Sequence, residues 1–302
     1  DGVSISGDGS YFKRQKMCGR QNRNGRIFSR LCNFCQRTLD FGTFRMLIDR
    51  GVRFQTKPFA IGVRVEHPQE LINQAQWGCP RLEGVKAAEY RLSHRAENGL
   101  TTYSFCMCPG GKVVPAAPRE GLNIVNGVSD YARNSEFANA AVVVGFSLSD
   151  LLGKDVSVAE SLDWLEHVER QAFDIAGGYR SPANSIESFL NNKVVQKINK
   201  SSYPFDLRPS DFSELFPEKI VSALRDGLHG FSQKLKGYEQ GIMLGLETKT
   251  SAPLQSGRDE FRRCEGFENL YLVGEGSGWA GGIVSSAVDG VKTGESVIKG
   301  TD

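Results

Sequence analysis

Asn269-Leu-Tyr-Leu-Val-Gly274-Glu275-Gly-Ser-Gly278-Trp-Ala-Gly-Gly282-Ile283-Val-Ser-Ser-Ala-Val-Asp-Gly290 is the stretch that decides how this chain is read. Leu270 to Val273 is a short apolar, partly β-branched run and predicts a buried strand. Gly274, Gly276, Gly278, Gly281 and Gly282 then predict a turn with few side chains in the way. From Ile283 the pattern turns helical, with Ile283, Ala287, Val288, Val291 and Val297 or Ile298 on one side. A strand, a Gly-rich turn and a helix N-terminus offer free backbone N–H groups to an anion. Glu275, at the strand's end, can accept hydrogen bonds from hydroxyls. Phosphate together with sugar hydroxyls points to a nucleotide.

Gly276, Gly278 and Gly281 fit G-x-G-x-x-G, but a dinucleotide fingerprint also needs a second strand about 20 residues on. The sequence stops at Asp302, just after the helix. The expectation is therefore the last strand and helix of a sheet whose other strands lie earlier or outside these residues.

The 302 residues can bury a sizeable core in one or two domains. The formal charge of +2 gives no reason to expect nucleic acid as a partner. No apolar run approaches the ~18 residues of a membrane span. Seven dispersed cysteines, an odd number, suggest reduced thiols in an intracellular compartment, cytoplasmic or organellar stroma.

Residues 1–40 are rich in Lys and Arg without a sustained apolar period, and they are expected to be poorly ordered. Cys18, Cys32 and Cys35 there favour solvated thiols over a zinc or thiol module, since no fourth ligand lies nearby. Regular structure is expected from Phe44, with a short helix closed by Gly51. Phe59 to Val65 alternates and predicts a half-buried strand ended by His67-Pro68, with His67 a packing residue. Glu89–Arg95 and Thr101–Cys106 predict strands about Asn98-Gly99, and Cys108-Pro-Gly-Gly111 a turn into Lys112–Ala117. Gly121–Asn126 and Val142–Phe146 predict further strands.

Val158–Phe173 reads as a helix and Tyr179–Ala183 as a loop. Asp211 with Glu214 reads as a capping box. Pro217 opens a helix weakened by Gly227 and Gly230. Gly241–Leu246 reads as a strand.

Cys106 and Cys108 end a predicted strand on one face, so their thiols would be adjacent. Two small buried hydrophobes before a turn is the plainer reading. They are weak candidates for catalysis. No Ser/His/Asp set, paired carboxylates or metal pattern can be assembled, and no metal is expected.

Several stretches, taken together, resemble the C-terminal part of the poorly characterised FAD-dependent dehydrogenases, within the glutathione-reductase-like flavoprotein class. They are Lys57-Pro-Phe-Ala-Ile-Gly-Val-Arg-Val-Glu-His-Pro-Gln69, Tyr103-Ser-Phe-Cys-Met-Cys-Pro-Gly-Gly111, Val125-Asn-Gly-Val-Ser129, Tyr179-Arg-Ser-Pro-Ala183, Leu246-Glu-Thr-Lys-Thr-Ser-Ala-Pro253 and Gly274-Glu-Gly-Ser-Gly-Trp-Ala-Gly-Gly-Ile283. The resemblance implies an α/β, mixed α+β fold. A strand-rich substrate domain with a helical insertion would be joined to the closing strand–turn–helix of an incomplete FAD-binding Rossmann-like domain. The implied divisions are an atypical basic segment at 1–40, a substrate domain at 41–265 with a helical part about 158–236, and the FAD-domain segment at 266–302.

It also implies FAD as cofactor, held by Gly274, Glu275, Gly276, Gly278, Gly281, Gly282 and Ile283. Glu275 would meet the ribityl hydroxyls and the N–H groups of 281–283 the flavin edge or pyrophosphate. The chemistry implied is hydride transfer through the flavin between an unknown small molecule and NAD(P)H or another electron partner. The family's early strand–GxGxxG–helix is not in these residues. The apolar strand expected before Phe44 is replaced by Arg-Leu-Cys-Asn-Phe-Cys-Gln-Arg, as an out-of-frame or mis-spliced join would leave it. The alternative is a non-catalytic remnant without FAD affinity.

Overall fold

The computed structural model describes residues 41–198 and 200–299, and the backbone of 20–21, 27–28 and 32–35. The chain folds into two compact units, one of residues 1–57 and 251–302, the other Pro58–Thr250. The fold is mixed α and β.

The first unit opens with the strands β1 (Arg20–Gln21), β2 (Ile27–Phe28) and β3 (Cys32–Cys35), then α1 (Phe41–Asp49) and β4 (Phe54–Thr56). Gly51 follows α1 at φ +85°, the left-handed stop the sequence predicts. Phe44 meets Phe54 edge to face at 5.5 Å, while Leu47 and Val52 pack with Cys264, Leu270 and Leu272.

The second unit is built on β5 (Phe59–Pro68), α2 (Gln69–Trp77), β6 (Ser93–Arg95), β7 (Thr101–Pro115), β8 (Val125–Ser129) and β9 (Phe137–Phe146). Then come α3 (Leu148–Leu152), α4 (Val158–Ala176), β10 (Ser181–Ser185), α5 (Ile186–Leu190), β11 (Leu207–Pro209), α6 (Glu218–Lys234) and β12 (Ile242–Glu247). Its eight described strands run β11-β10-β12-β5-β9-β7-β6, with β8 on β7. Only the β10–β11 pair is parallel; the rest are antiparallel.

The chain then returns to the first unit with β13 (Leu254–Ser256), β14 (Leu270–Val273), a 3-10 turn (Glu275–Ser277) and α7 (Ile283–Lys299). The units divide at 57/58 and 250/251, and β4 pairs with β13 within the first. Two strands on either side of that return hold residues 54–56 and 254–256 in one unit.

Several readings shift. β5 is buried along both faces, because β9 and β12 flank it and helices cover one side. Residues two apart share a face, so Ile61, Val63, Val142, Val144 and Thr102 share one face, with α6 packed over its β7 and β9 part, and Arg64, Glu66, Asn139 and Ala141 lie on the other face. Cys108–Gly111 is not a turn: β7 runs through it, and register shifts between Phe105/Cys108 and Cys108/Gly111 absorb the extra residues. The strand read at 121–126 lies at 125–129, and Tyr179–Ala183 gives way to a strand from Ser181. The stretch read as helical, 158–236, thus also holds β10 and β11. Asp211 caps a 3-10 turn through Ser213 N and no capping box forms.

Gly227 and Gly230 do not merely weaken α6. A Cβ on Gly227 would stand 2.4 Å from Thr102 Cβ, and one on Gly230 2.3 Å from His94 Nδ1. The two glycines let the helix lie close on β6 and β7.

β3 pairs in parallel with β14, Leu270 opposite Cys32 and Val273 opposite Cys35. A strand therefore stands where the sequence put no apolar one. The remaining expectation for 1–40, and the thiol or zinc reading of Cys18, Cys32 and Cys35, lie outside the described side chains. Among the described residues no helix is long and apolar enough to cross a membrane.

Candidate functional site

In the first unit, β14 delivers the chain into the Gly-rich turn, and Asp289 of α7 ties the turn to the helix. Asp289 Oδ2 accepts from Gly274 N at 2.8 Å. Arg258 meets the same carboxylate through both terminal nitrogens, Nη1 to Oδ1 and Nη2 to Oδ2, each at 2.9 Å. Arg262 adds a further bond to Oδ1. Burial pushes Asp289 up, but the hydrogen bonds from Arg258 and Gly274 and the two guanidinium charges outweigh it. Its pKa ends below the ordinary carboxyl value. Arg258 also donates to Ser277 Oγ at 2.9 Å and lies against the Trp279 ring. Trp279 Nε1 reaches Ser256 O at 2.9 Å.

This clamp separates the glycines into two sets. Gly274 (φ +81°) and Gly276 are buried, with the Gly274 amide spent on Asp289. A Cβ on Gly278 (φ +80°) would stand 2.1 Å from Leu254 O, so that glycine is there for close packing. Gly281 and Gly282 are different: a Cβ on Gly281 would meet nothing within 4 Å. Ile283, the first helical residue, is 84% exposed. The first-turn amides of α7 have no carbonyl four residues earlier in the helix, and just before them Gly281 N donates to Ser285 Oγ at 3.3 Å while that hydroxyl donates to Gly282 O at 3.0 Å. Glu275 is half-buried beside Lys57, whose ammonium donates to Gly278 O at 2.8 Å. Burial holds Lys57 below the ordinary lysine value, and Glu275 works against that shift.

The apolar stripe of α7 is not where the sequence put it. Ile283, Ala287, Val288, Val291 and Ile298 are exposed, while the buried positions of the helix are Asp289 and Thr293. The helix is held in its unit by the polar clamp rather than by that stripe.

In the second unit the sequence missed a buried polar cluster. Arg64 is fully buried on β5. Its Nε and Nη2 each stand 3.0 Å from Glu247 Oε2 on β12. Its Nη1 donates to Asn139 Oδ1 at 2.9 Å and Cys106 O at 3.2 Å, and its Nη2 to Asn126 Oδ1 at 3.3 Å. Burial lowers the Arg64 pKa, but Glu247 and the two nearby thiols raise it further, so it stays charged. Gly127 leaves the room: a Cβ there would be 2.2 Å from Arg64 Nη1. One signal was available, since Arg64 sits in an otherwise apolar run from Phe59 to Val65.

Cys106 lies on the bulge of β7 at φ +46°, exposed, and Cys108 is buried beneath it. Neither is in a disulfide. Arg64 Nη1 is 3.9 Å from Cys108 Sγ. A hydrogen bond with Cys106 and burial raise the Cys108 pKa, against the pull of Arg64. His67 is a packing residue: Nε2 lies 2.7 Å from Tyr238 O, and burial lowers its pKa to about 4. Among the described residues no group of His, Cys, Asp and Glu can hold a metal ion.

Residues 58–250 match the family described as FAD-dependent protein, C-terminal domain-like. The chain belongs to this family. The matched span coincides with the second unit. The chain is also 41% identical over 270 residues to an uncharacterized protein of Clostridium beijerinckii, covering 86% of this chain and 50% of that protein. It thus spans about half the length of that relative.

The family match covers the second unit, and the Gly-rich turn with its Asp289 clamp lies in the first. The backbone at 281–283 is exposed or half-buried, and its Gly281 N–H donates to Ser285 Oγ at 3.3 Å. The glycines at 274, 276 and 278 shape the turn from within.

Proposed function

We propose that the chain is the flavin-facing part of an FAD-dependent oxidoreductase. The observation that supports this best is the open Gly281-Gly282-Ile283 edge above a turn locked by Asp289, in a chain whose second unit is an FAD-dependent family domain. In this reading the N–H groups of 281–283 hold the flavin edge or pyrophosphate and Glu275 the ribityl hydroxyls. Gly274, Gly276 and Gly278 fix the backbone that presents them. The flavin, when bound, supplies hydride chemistry between a small-molecule substrate and NAD(P)H or another electron partner.

The chain's own share is to present, orient and desolvate. Lys57, a cation beside Glu275, biases the turn toward negative charge. The test is anaerobic: load the protein with FAD, remove the excess, and add NADH or NADPH. Bleaching of the bound flavin supports an oxidoreductase; a bound flavin that neither nicotinamide nor dithionite bleaches contradicts it.

A further inference from the structure

The two cysteines of β7 occupy unlike positions around one fixed cation. Cys106 is exposed, with a positive φ that only a few per cent of non-glycine residues adopt, and such strain gathers at working sites. Cys108 is buried, its thiol donates to Cys106 O at 3.5 Å, and its Sγ lies 3.9 Å from Arg64 Nη1. Arg64 cannot swing away, because Glu247, Asn139 and Asn126 hold three of its edges. The strand under the pair is pinned as well: Gly110 N donates to Gln69 Oε1 and Ser129 Oγ donates to Pro109 O at 2.9 Å. An accessible sulfur, a second sulfur behind it and a fixed positive charge are what a dithiol needs to react in sequence.

We infer that Cys106 and Cys108 form a redox-active dithiol that reduces low-molecular-weight disulfides, with Cys106 attacking and Cys108 resolving. In the first step the Cys106 thiolate attacks one sulfur of a disulfide RSSR. A Cys106–SR bond forms, the S–S bond of RSSR breaks, and RS⁻ departs. That thiolate takes the proton of Cys108. The Cys108 sulfur then attacks the Cys106 sulfur, the mixed disulfide breaks, and a second RS⁻ leaves and is protonated from solvent. Two thiols become one disulfide, RSSR becomes two RSH, and two electrons pass outward. Arg64 is a positioning residue here: its charge favours the thiolate at each step. The inference stands whether or not the chain binds flavin.

The test uses the full chain with glutathione disulfide as probe, followed by peptide mapping. The wild type is expected to end with a Cys106–Cys108 disulfide and only transient glutathione. Cys108→Ala is expected to accumulate glutathione on Cys106. Cys106→Ala is expected to lose both products at this strand. Iodoacetamide on the reduced wild type, which needs no variant to fold, is expected to label Cys106 ahead of Cys108. A wild type that keeps glutathione on Cys106, leaves Cys106 unmodified, or links it to another cysteine overturns the inference.

Discussion

Arg64 and Glu247, 183 positions apart in sequence, face each other in the buried sheet with two guanidinium nitrogens 3.0 Å from the same carboxylate oxygen. The pair joins β5 to β12, the first and last strands of the second unit. Its worth lies in being complete. Arg64→Met strands the Glu247 carboxylate and should cost about 3–5 kcal/mol of stability. Replacing both partners by apolar residues should recover most of that loss. Urea midpoints of the single and double variants check it; a single variant as stable as wild type would show the pair to be idle.

Gly227 tests the packing of α6. Gly→Ala in an exposed helix adds up to about 1 kcal/mol of stability. Here the new Cβ would stand 2.4 Å from Thr102, so Gly227→Ala should instead lose about 1–3 kcal/mol. The sign of the change in thermal midpoint decides between propensity and overpacking.

Asp289 gives a pH signature. Its folded pKa lies below the ordinary value of 3.8, so its contribution is present above that value and is lost as pH falls through the folded pKa. Asp289→Asn should therefore destabilise the first unit at neutral pH by about 1–3 kcal/mol. The gap to wild type should narrow as pH drops below 3.8. Hydrogen exchange at Gly274 N, which loses a charged acceptor, reports it locally. A gap independent of pH would contradict the assignment.

Much of the architecture was legible because it is local. Leu270–Val273, the Gly51 stop and the α4 period each follow from residues close in sequence. What was missed is long-range. Cys108-Pro-Gly-Gly111 has turn composition, yet pairing with Phe137 and Asn139 on β9 keeps it in the sheet. Ser181–Ser185 becomes a strand because Ala183 meets Leu244. Arg64 gave no partner, since nothing in one sequence connects it to Glu247. The stripe of α7 was read correctly as apolar, but apolar pattern does not state what covers it.

Within the Gly-rich turn, local reading merged two roles that geometry separates. Gly281→Val should leave the unfolding midpoint within about 0.5 kcal/mol of wild type, because its Cβ meets open space. Gly278→Ala should destabilise by about 1–3 kcal/mol, having both a positive φ and Leu254 O in the way. Paired denaturation curves separate the shaping glycine from the presenting one; equal losses would undo the distinction.

The most direct measurement is a titration of the full chain with FAD, followed by desalting and an absorbance scan of the protein peak, in wild type and Gly281→Val. The account predicts a flavin spectrum on the wild-type peak and its loss from a Gly281→Val protein of unchanged stability. A wild-type peak that stays colourless at FAD excess, or a variant that keeps its flavin, would contradict the central claim.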